Sequence, residues 1–173
     1  MSLEDLNALS GEQATVQFLR CCSSIGWARR MSERRPFSSV AGMTEAANQI
    51  WVSLDREDWL EAFAGHPRIG ATEKPSTPSQ HWASNEQSGM NAASQDVRER
   101  LADANRDYEA RFGYIFIVCA TGKSADEMLA ILGSRLSNAP SDELRIAAAE
   151  QAKIMQLRLS KLLNDQGRAS MKK

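Results

Sequence analysis

The sequence predicts an all-α, single-domain helical bundle with a long functional loop and one extended apolar segment. Three observations carry that prediction. Apolar side chains recur at helical spacing through most of the chain. Serines of the helix-capping kind stand before several of those runs. One continuous apolar run, Tyr114 to Ala120, has no second convincing strand to pair with. At 173 residues the chain suits one domain, 1–173, that buries a core without disulfides.

The elements follow in order. Ser10-Gly11-Glu12-Gln13 reads as a capping box, with the serine oxygen and Gln13 satisfying free amides, and the helix behind it carries Val16, Phe18 and Leu19 inward. Thr44 opens a second helix with Ala47, Ile50, Trp51 and Leu54 on one face. Asp55 caps a third, which buries Trp59, Leu60 and Phe63 and stops at Gly65. From Ile69 to about Gly89 the chain is rich in Pro, Ser, Thr and Gly, and Pro75 and Pro78 exclude a continuous helix. A long loop inside a compact domain is usually functional or disordered. A helix from about Ala92 to Arg111 carries Val97, Leu101, Ala104 and Tyr108 as its stripe, and Gly113 ends it.

Tyr114 to Ala120 then looks like a buried strand, and without a partner strand its amides and carbonyls need other partners, a bound ligand being one candidate. Ser124-Ala125-Asp126-Glu127 is a further capping box, starting a helix that reaches Ser137. The last helix spans roughly Asp142 to Asn164, and a disordered tail is expected from about residue 165.

Composition narrows the function classes. Hydrophobic content of 42% and charged content of 25% are those of an ordinary globular protein. A net charge of -1 argues against nucleic-acid binding, which needs a concentrated positive surface. Arg29, Arg30, Arg34 and Arg35 form the one basic cluster and read as a solvated helix end or an oligomer contact. Cys21, Cys22 and Cys119 have no metal-ligand spacing, and an odd set of thiols fits a reduced, cytoplasmic compartment. The N-terminus has neither the basic nor the apolar region of a signal peptide, and the longest apolar run is too short to cross a bilayer, so no membrane partner is expected.

Chemistry concentrates at three places. His66 lies in the Pro/Gly-framed turn His66-Pro67-Arg68-Ile69-Gly70, directly after a helix. Histidine exchanges a proton near neutral pH more readily than other side chains, and a loop on a rigid scaffold is where catalytic groups tend to sit. Its structural alternative is a ring that caps a neighbouring carbonyl. Glu86 and Gln87 offer a carboxylate and an amide from a second loop. On the last helix Leu144, Ala148, Met155 and Leu162 share a face with Gln151 and Arg158. An arginine there must reach solvent, pair with an acid, or hold an anionic substrate. His66, His81 and Glu86 are suitable in type for a metal, but their spacing matches no standard ligand motif, so no metal is expected.

These residues resemble the family of 2-oxo-4-hydroxy-4-carboxy-5-ureidoimidazoline (OHCU) decarboxylases. The resemblance is carried by Arg35-Pro36-Phe37, His66-Pro67 with Ile69-Gly70, and Glu86-Gln87-Ser88-Gly89. It continues through Tyr108-Glu109-Ala110-Arg111-Phe112-Gly113-Tyr114 into Phe116-Ile117-Val118-Cys119-Ala120, and ends in Leu157-Arg158-Leu159. Two departures stand out. The family often has a serine three positions before the motif glutamate, where this chain has Ala83 with Ser84 beside it. Many members have an acidic residue after His-Pro, where this chain has Arg68.

The resemblance implies an all-helical, commonly dimeric enzyme that converts OHCU to (S)-allantoin in urate breakdown, without a cofactor. It implies catalytic roles for His66, Glu86 and Arg158. It implies substrate contacts from Pro67, Ser84, Gln87 and the segment Phe116, Ile117, Val118, Cys119 and Ala120, lying extended beside the ligand. Two rival readings are a non-catalytic helical interaction module and a metal-dependent hydrolase built on His66, His81 and Glu86.

Overall fold

The computed structural model describes residues 1–71 and 78–164. Among these, nine α helices and one 3-10 turn make up the regular structure, with no strand. They are α1 (Leu3–Ala8), α2 (Gly11–Cys21), α3 (Ile25–Glu33), α4 (Val40–Val52), α5 (Arg56–Ala64), α6 (Pro78–Glu86), the 3-10 turn Ser88–Met90, α7 (Gln95–Phe112), α8 (Ala125–Arg135) and α9 (Pro140–Asn164). The all-α expectation holds. The tail from 165 and the position of Pro75 lie outside the described residues.

Serine caps set most of the helix starts. Ser2, Ser10, Ser24, Ser39, Ser94 and Ser124 each accept a hydrogen bond from a backbone N–H three residues on. Asp55 does the same for Asp58 at 3.1 Å. Each such cap is worth about 1 kcal/mol, because it satisfies an amide that the helix cannot. The caps also explain where the sequence expectations slipped. Ser39 starts α4 at Val40 rather than at Thr44, and Ser94 starts α7 at Gln95 rather than at Ala92. Helices α1 and α3 were not anticipated. On α2 the inward stripe is Ala14, Phe18 and Cys21, which puts Val16 on the far side at 55% exposure and leaves Leu19 half-buried. Half of the expected loop is helical as well. Pro78 opens α6, since a fixed φ and a missing N–H suit the first helical position.

The chain divides into two compact units, Met1–Ala62 with Ala152–Lys173, and Phe63–Gln151. In the first, Phe18 packs edge-on against Trp27 at 5.9 Å and Phe37 at 6.4 Å. The Trp27 indole N–H donates to the Ala47 carbonyl at 3.1 Å, and Trp59 to the Trp51 carbonyl at 3.1 Å. Arg35 departs from its expected role. Arg29, Arg30 and Arg34 are exposed, whereas Arg35 is half-buried and donates to the carbonyls of Leu6, Asn7 and Leu9 at the end of α1. A cation at a helix C-terminus meets carbonyls without intrahelical donors. Gln156 on α9 donates to Asn48 on α4 at 2.8 Å.

In the second unit the core is aromatic. Tyr108 packs on Phe112 at 4.7 Å and on Phe116 at 5.4 Å, while Phe63 packs on Tyr114 at 5.4 Å. Gly113 takes φ 80° and closes α7 in the left-handed conformation open to glycine, which turns the chain into the extended run after it.

All three cysteines are buried free thiols. Burial pushes the Cys22 thiol up to about 12, and it raises Cys119 above the ordinary thiol range, with Glu150 and Glu86 adding to the shift. Thiols that stay neutral and enclosed are poor nucleophiles. Native protein is therefore expected to resist Ellman's reagent at mildly alkaline pH and to release three equivalents only when unfolded in guanidinium. Rapid labelling of the native protein would contradict this burial.

Candidate active site

Residues 115–120 form no helix and no strand, and side chains meet several of their backbone groups. Arg135, at the end of α8, donates to the Ile117 carbonyl at 2.8 Å. Its guanidinium is buried against Glu143 in the first turns of α9, donating to the carboxylate from Nε at 2.8 Å. Glu143 also accepts from Asn138 at 2.8 Å and from the Tyr108 hydroxyl. Burial and that bond raise the Tyr108 hydroxyl far above its ordinary value, so it remains a donor. The Arg135 guanidinium lies 4.8 Å from the centre of the Phe116 ring, a cation–π contact. Further along, the Cys119 N–H donates to Glu150 at 2.7 Å, and the Cys119 carbonyl accepts from Lys123 at 2.8 Å.

The histidine turn is pinned in a comparable way. The Gly70 N–H donates to the Gln87 side-chain oxygen at 3.0 Å, and Asn105 on α7 donates to the Ile69 carbonyl at 3.2 Å. Arg68 forks onto Glu109 of α7 at 2.5 and 2.8 Å, holding that carboxyl below its usual range. The basic residue after His-Pro thus ties the turn to α7. Gly70 takes φ 81°, which few side chains tolerate. With the turn held, His66 Nε2 lies 2.6 Å from Oε1 of Gln151 on α9.

Helix α9 therefore receives both halves of the site on consecutive residues. Glu150 takes the extended segment and Gln151 takes the histidine. Glu86 is 7% exposed at the end of α6, and its charge helps to raise the Cys119 thiol. Gln87 and Pro67 are half-buried, and Phe116, Ile117, Val118, Cys119 and Ala120 are buried. Ser84 is exposed on α6, whereas Ala83 beside it is buried. Gly89 lets this region approach the segment's far end, because a Cβ there would lie 2.0 Å from the Lys123 carbonyl oxygen.

Arg158 belongs to the other unit. It is 3% exposed, and its charge acts on the Cys22 thiol alongside those of Glu61 and Asp58. His81 is exposed on α6, and among the described residues no group of three His, Cys, Asp or Glu side chains is placed to hold a metal. Sequence reasoning missed Glu150, Arg135 and Glu143. It placed Gln151 on the apolar stripe of the last helix but gave it no role, although a polar residue in such a stripe was the signal that singled out Arg158.

Among the described residues the chain is all-helical, with a histidine–carboxamide pair and a buried carboxylate. It belongs to the OHCU decarboxylase family, whose profile matches residues 7–160. It is 40% identical over 152 residues to the uric acid degradation bifunctional protein TTL of Arabidopsis thaliana, covering 86% of this chain and 47% of that protein. The chain thus spans about half the length of that bifunctional relative, and about a third of the one from Bacillus subtilis (35%). Some relatives named only as decarboxylases match along nearly their whole length. The 2-oxo-4-hydroxy-4-carboxy-5-ureidoimidazoline decarboxylase of Xenopus laevis is 30% identical, covering 94% of both chains. A crystal structure of an OHCU decarboxylase in the presence of (S)-allantoin superposes with a TM-score of 0.76 at 38% identity, covering 86% of this chain and 98% of that one.

The Arg135–Glu143 pair gives a stability prediction. Removing one partner of a buried ion pair strands the other charge, at a cost of about 3–5 kcal/mol. Arg135→Met is expected to lose that much in chemical denaturation. A loss below about 1 kcal/mol, the range of an exposed pair, would contradict the pair's burial.

Proposed function

We propose that this chain decarboxylates OHCU to (S)-allantoin in urate catabolism. The observation that carries the proposal is the seating of His66 and of the extended segment on adjacent residues of α9, 2.6 Å from Gln151 and 2.7 Å from Glu150. That arrangement supports a reading in which a proton-transfer group works with a strip of backbone suited to a flat, amide-rich molecule. Membership of the OHCU decarboxylase family supports the substrate.

OHCU carries its carboxylate and a hydroxyl on a ring carbon next to a C=N bond. When the bond to CO2 breaks, its electron pair forms a new ring C=C bond while the C=N nitrogen takes up electrons and a proton. The substrate thus contains its own electron sink, and the chemistry asks for no cofactor. Protonation at the neighbouring carbon, with loss of the hydroxyl proton, gives allantoin. In this reading His66 accepts the hydroxyl proton or delivers the new one, and delivery to one face makes one enantiomer. Glu86 orients the substrate. The Gln87 oxygen is already taken up by Gly70, so its NH2 group is the part that faces a substrate carbonyl. Pro67 shapes the wall by the histidine, residues 116–120 offer backbone groups, and Ser84 stands at the edge. Arg158, also on α9, is assigned the substrate carboxylate, a role that the family resemblance implies and that the fixed charge and forked donors of a guanidinium suit.

We place residues 1–173 in one OHCU-decarboxylase-like domain, supported by the family match over 7–160. We also propose a cytoplasmic homodimer. No helix among the described residues is long and apolar enough to cross a membrane. Trp27 and Trp51 are buried within the chain, so the large apolar side chains left exposed among the described residues are Val16, Ile25, Val40, Val52, Ile146 and Leu157.

The test uses freshly generated OHCU, with CO2 release and circular dichroism of the product, after subtraction of spontaneous decay. Stereospecific turnover is expected, and it should persist in EDTA. His66→Ala should lower it by roughly 10²–10⁴-fold with the thermal melt unchanged. Glu86→Ala should also cut turnover without unfolding, and Arg158→Ala should raise KM. An unimpaired His66→Ala enzyme would overturn the assignment. Light scattering should report a dimer, and a monomer at micromolar concentration would contradict the assembly.

A further inference from the structure

Gln151 is a neutral carboxamide with no solvent exposure, on the face of α9 that also buries Ala148 and Met155. A leucine or methionine would fill that volume without a polar cost, since an unsatisfied buried polar group costs about 1–3 kcal/mol. The fold does not satisfy this amide. Its Oε1 lies 2.6 Å from His66 Nε2, while its Nε2 is buried with no hydrogen-bond partner among the described residues. The amide is therefore oriented toward the imidazole at the expense of its own donor. Packing does not account for such a residue, and a buried polar group left unsatisfied calls for an explanation in function.

A carbonyl oxygen can only accept. The ring nitrogen facing it must carry a hydrogen, and in a neutral imidazole the other nitrogen then holds the lone pair. We propose that Gln151 is a positioning residue that fixes His66 in the Nε2–H form, which makes Nδ1 the nitrogen that exchanges the proton with substrate. This rests on the reading of His66 as the acid–base group. When Nδ1 takes a proton, the Nε2–H···O bond shares the new charge, the part a carboxylate plays behind the histidine of a serine-protease triad. A neutral acceptor suits this reaction better than a carboxylate. The substrate is an anion, and a second negative charge behind the ring would oppose its binding.

The tautomer is directly observable. The chain has two histidines, so His81→Asn leaves one imidazole, that of His66, in a ¹⁵N-labelled sample. At alkaline pH, where a histidine ring is neutral, two-bond ¹H–¹⁵N correlations should show a protonated Nε2 and a bare Nδ1. Gln151→Met should lose that preference and lower kcat by roughly 10–100-fold through misplacement of the ring, with KM within about threefold and the melt retained. Gln151→Glu keeps an acceptor, so it should restore the Nε2–H pattern and part of kcat while raising KM.

A ring protonated on Nδ1 would overturn the proposal, since the amide would then be turned over and donating. A Gln151→Met enzyme with unchanged kcat would also overturn it. The unsubstituted Gln151 spectrum decides the matter even if the Gln151 variants fail to fold. An expected tautomer in a protein without OHCU turnover would count against the decarboxylase reading and not against the role of Gln151 in orienting the ring.

Discussion

The buried ion pair of Arg135 with Glu143 is the constraint on which the second unit depends. An extended segment inside an all-helical protein has no ladder to satisfy its backbone. Arg135 solves part of that problem by donating to the Ile117 carbonyl, but it brings a charge into the core. Glu143 neutralises the charge, and Tyr108 and Asn138 supply further donors to its oxygens. Helices α7, α8 and α9 and the segment are thereby joined through one carboxylate. Buried pairs of this kind add little to stability over an apolar core, yet losing one partner is costly. Here the pair ties the segment to α8 at the Ile117 carbonyl.

From that anchoring, the site follows along α9. Glu143 fixes the start of the helix, and Glu150 and Gln151 come two turns later on consecutive positions. Neighbouring residues on a helix point about 100° apart, so the pair can reach two different elements, the extended segment and the histidine turn. Asn105 and the Arg68–Glu109 fork hold that turn from α7, and Gln87 holds it from just beyond α6. The imidazole therefore rests on groups that are themselves held, which is what a catalytic geometry accurate to a fraction of an ångström requires.

Much of this was legible in the sequence because it is local. Ser10 with Gln13, Ser124 with Glu127, Asp55 and Gly113 announce helix ends through bonds that span a few residues, and each does so in the structure. Helix α6 is hidden in the sequence because proline ordinarily breaks a helix, while Pro78 sits at the first helical position, where it is tolerated. Val16 was misplaced because apolar character alone does not say which side of α2 faces in. The unpaired run Tyr114 to Ala120 was recognised as needing outside partners, but not which ones. Arg135, Glu143 and Glu150 look like ordinary solvated charges in sequence, and only the tertiary fold gives them their partners. His66 and Glu86 stood out by residue type and setting; in the structure His66 meets Gln151, and Glu86 is buried at the end of α6. Gln151 was visible as a polar residue on an apolar stripe, a pattern that asks for a reason without stating it.

The proposed function requires a small amide-rich molecule to lie along residues 116–120 with its reacting carbon at His66. A crystal structure of this protein with (S)-allantoin tests it most directly. The account predicts the product's amides hydrogen-bonded to the backbone of that segment and its stereocentre within reach of the His66 ring. Product bound away from both, for instance in the 290 Å³ cavity bordered by Arg34, Phe37 and Gln49, would contradict it.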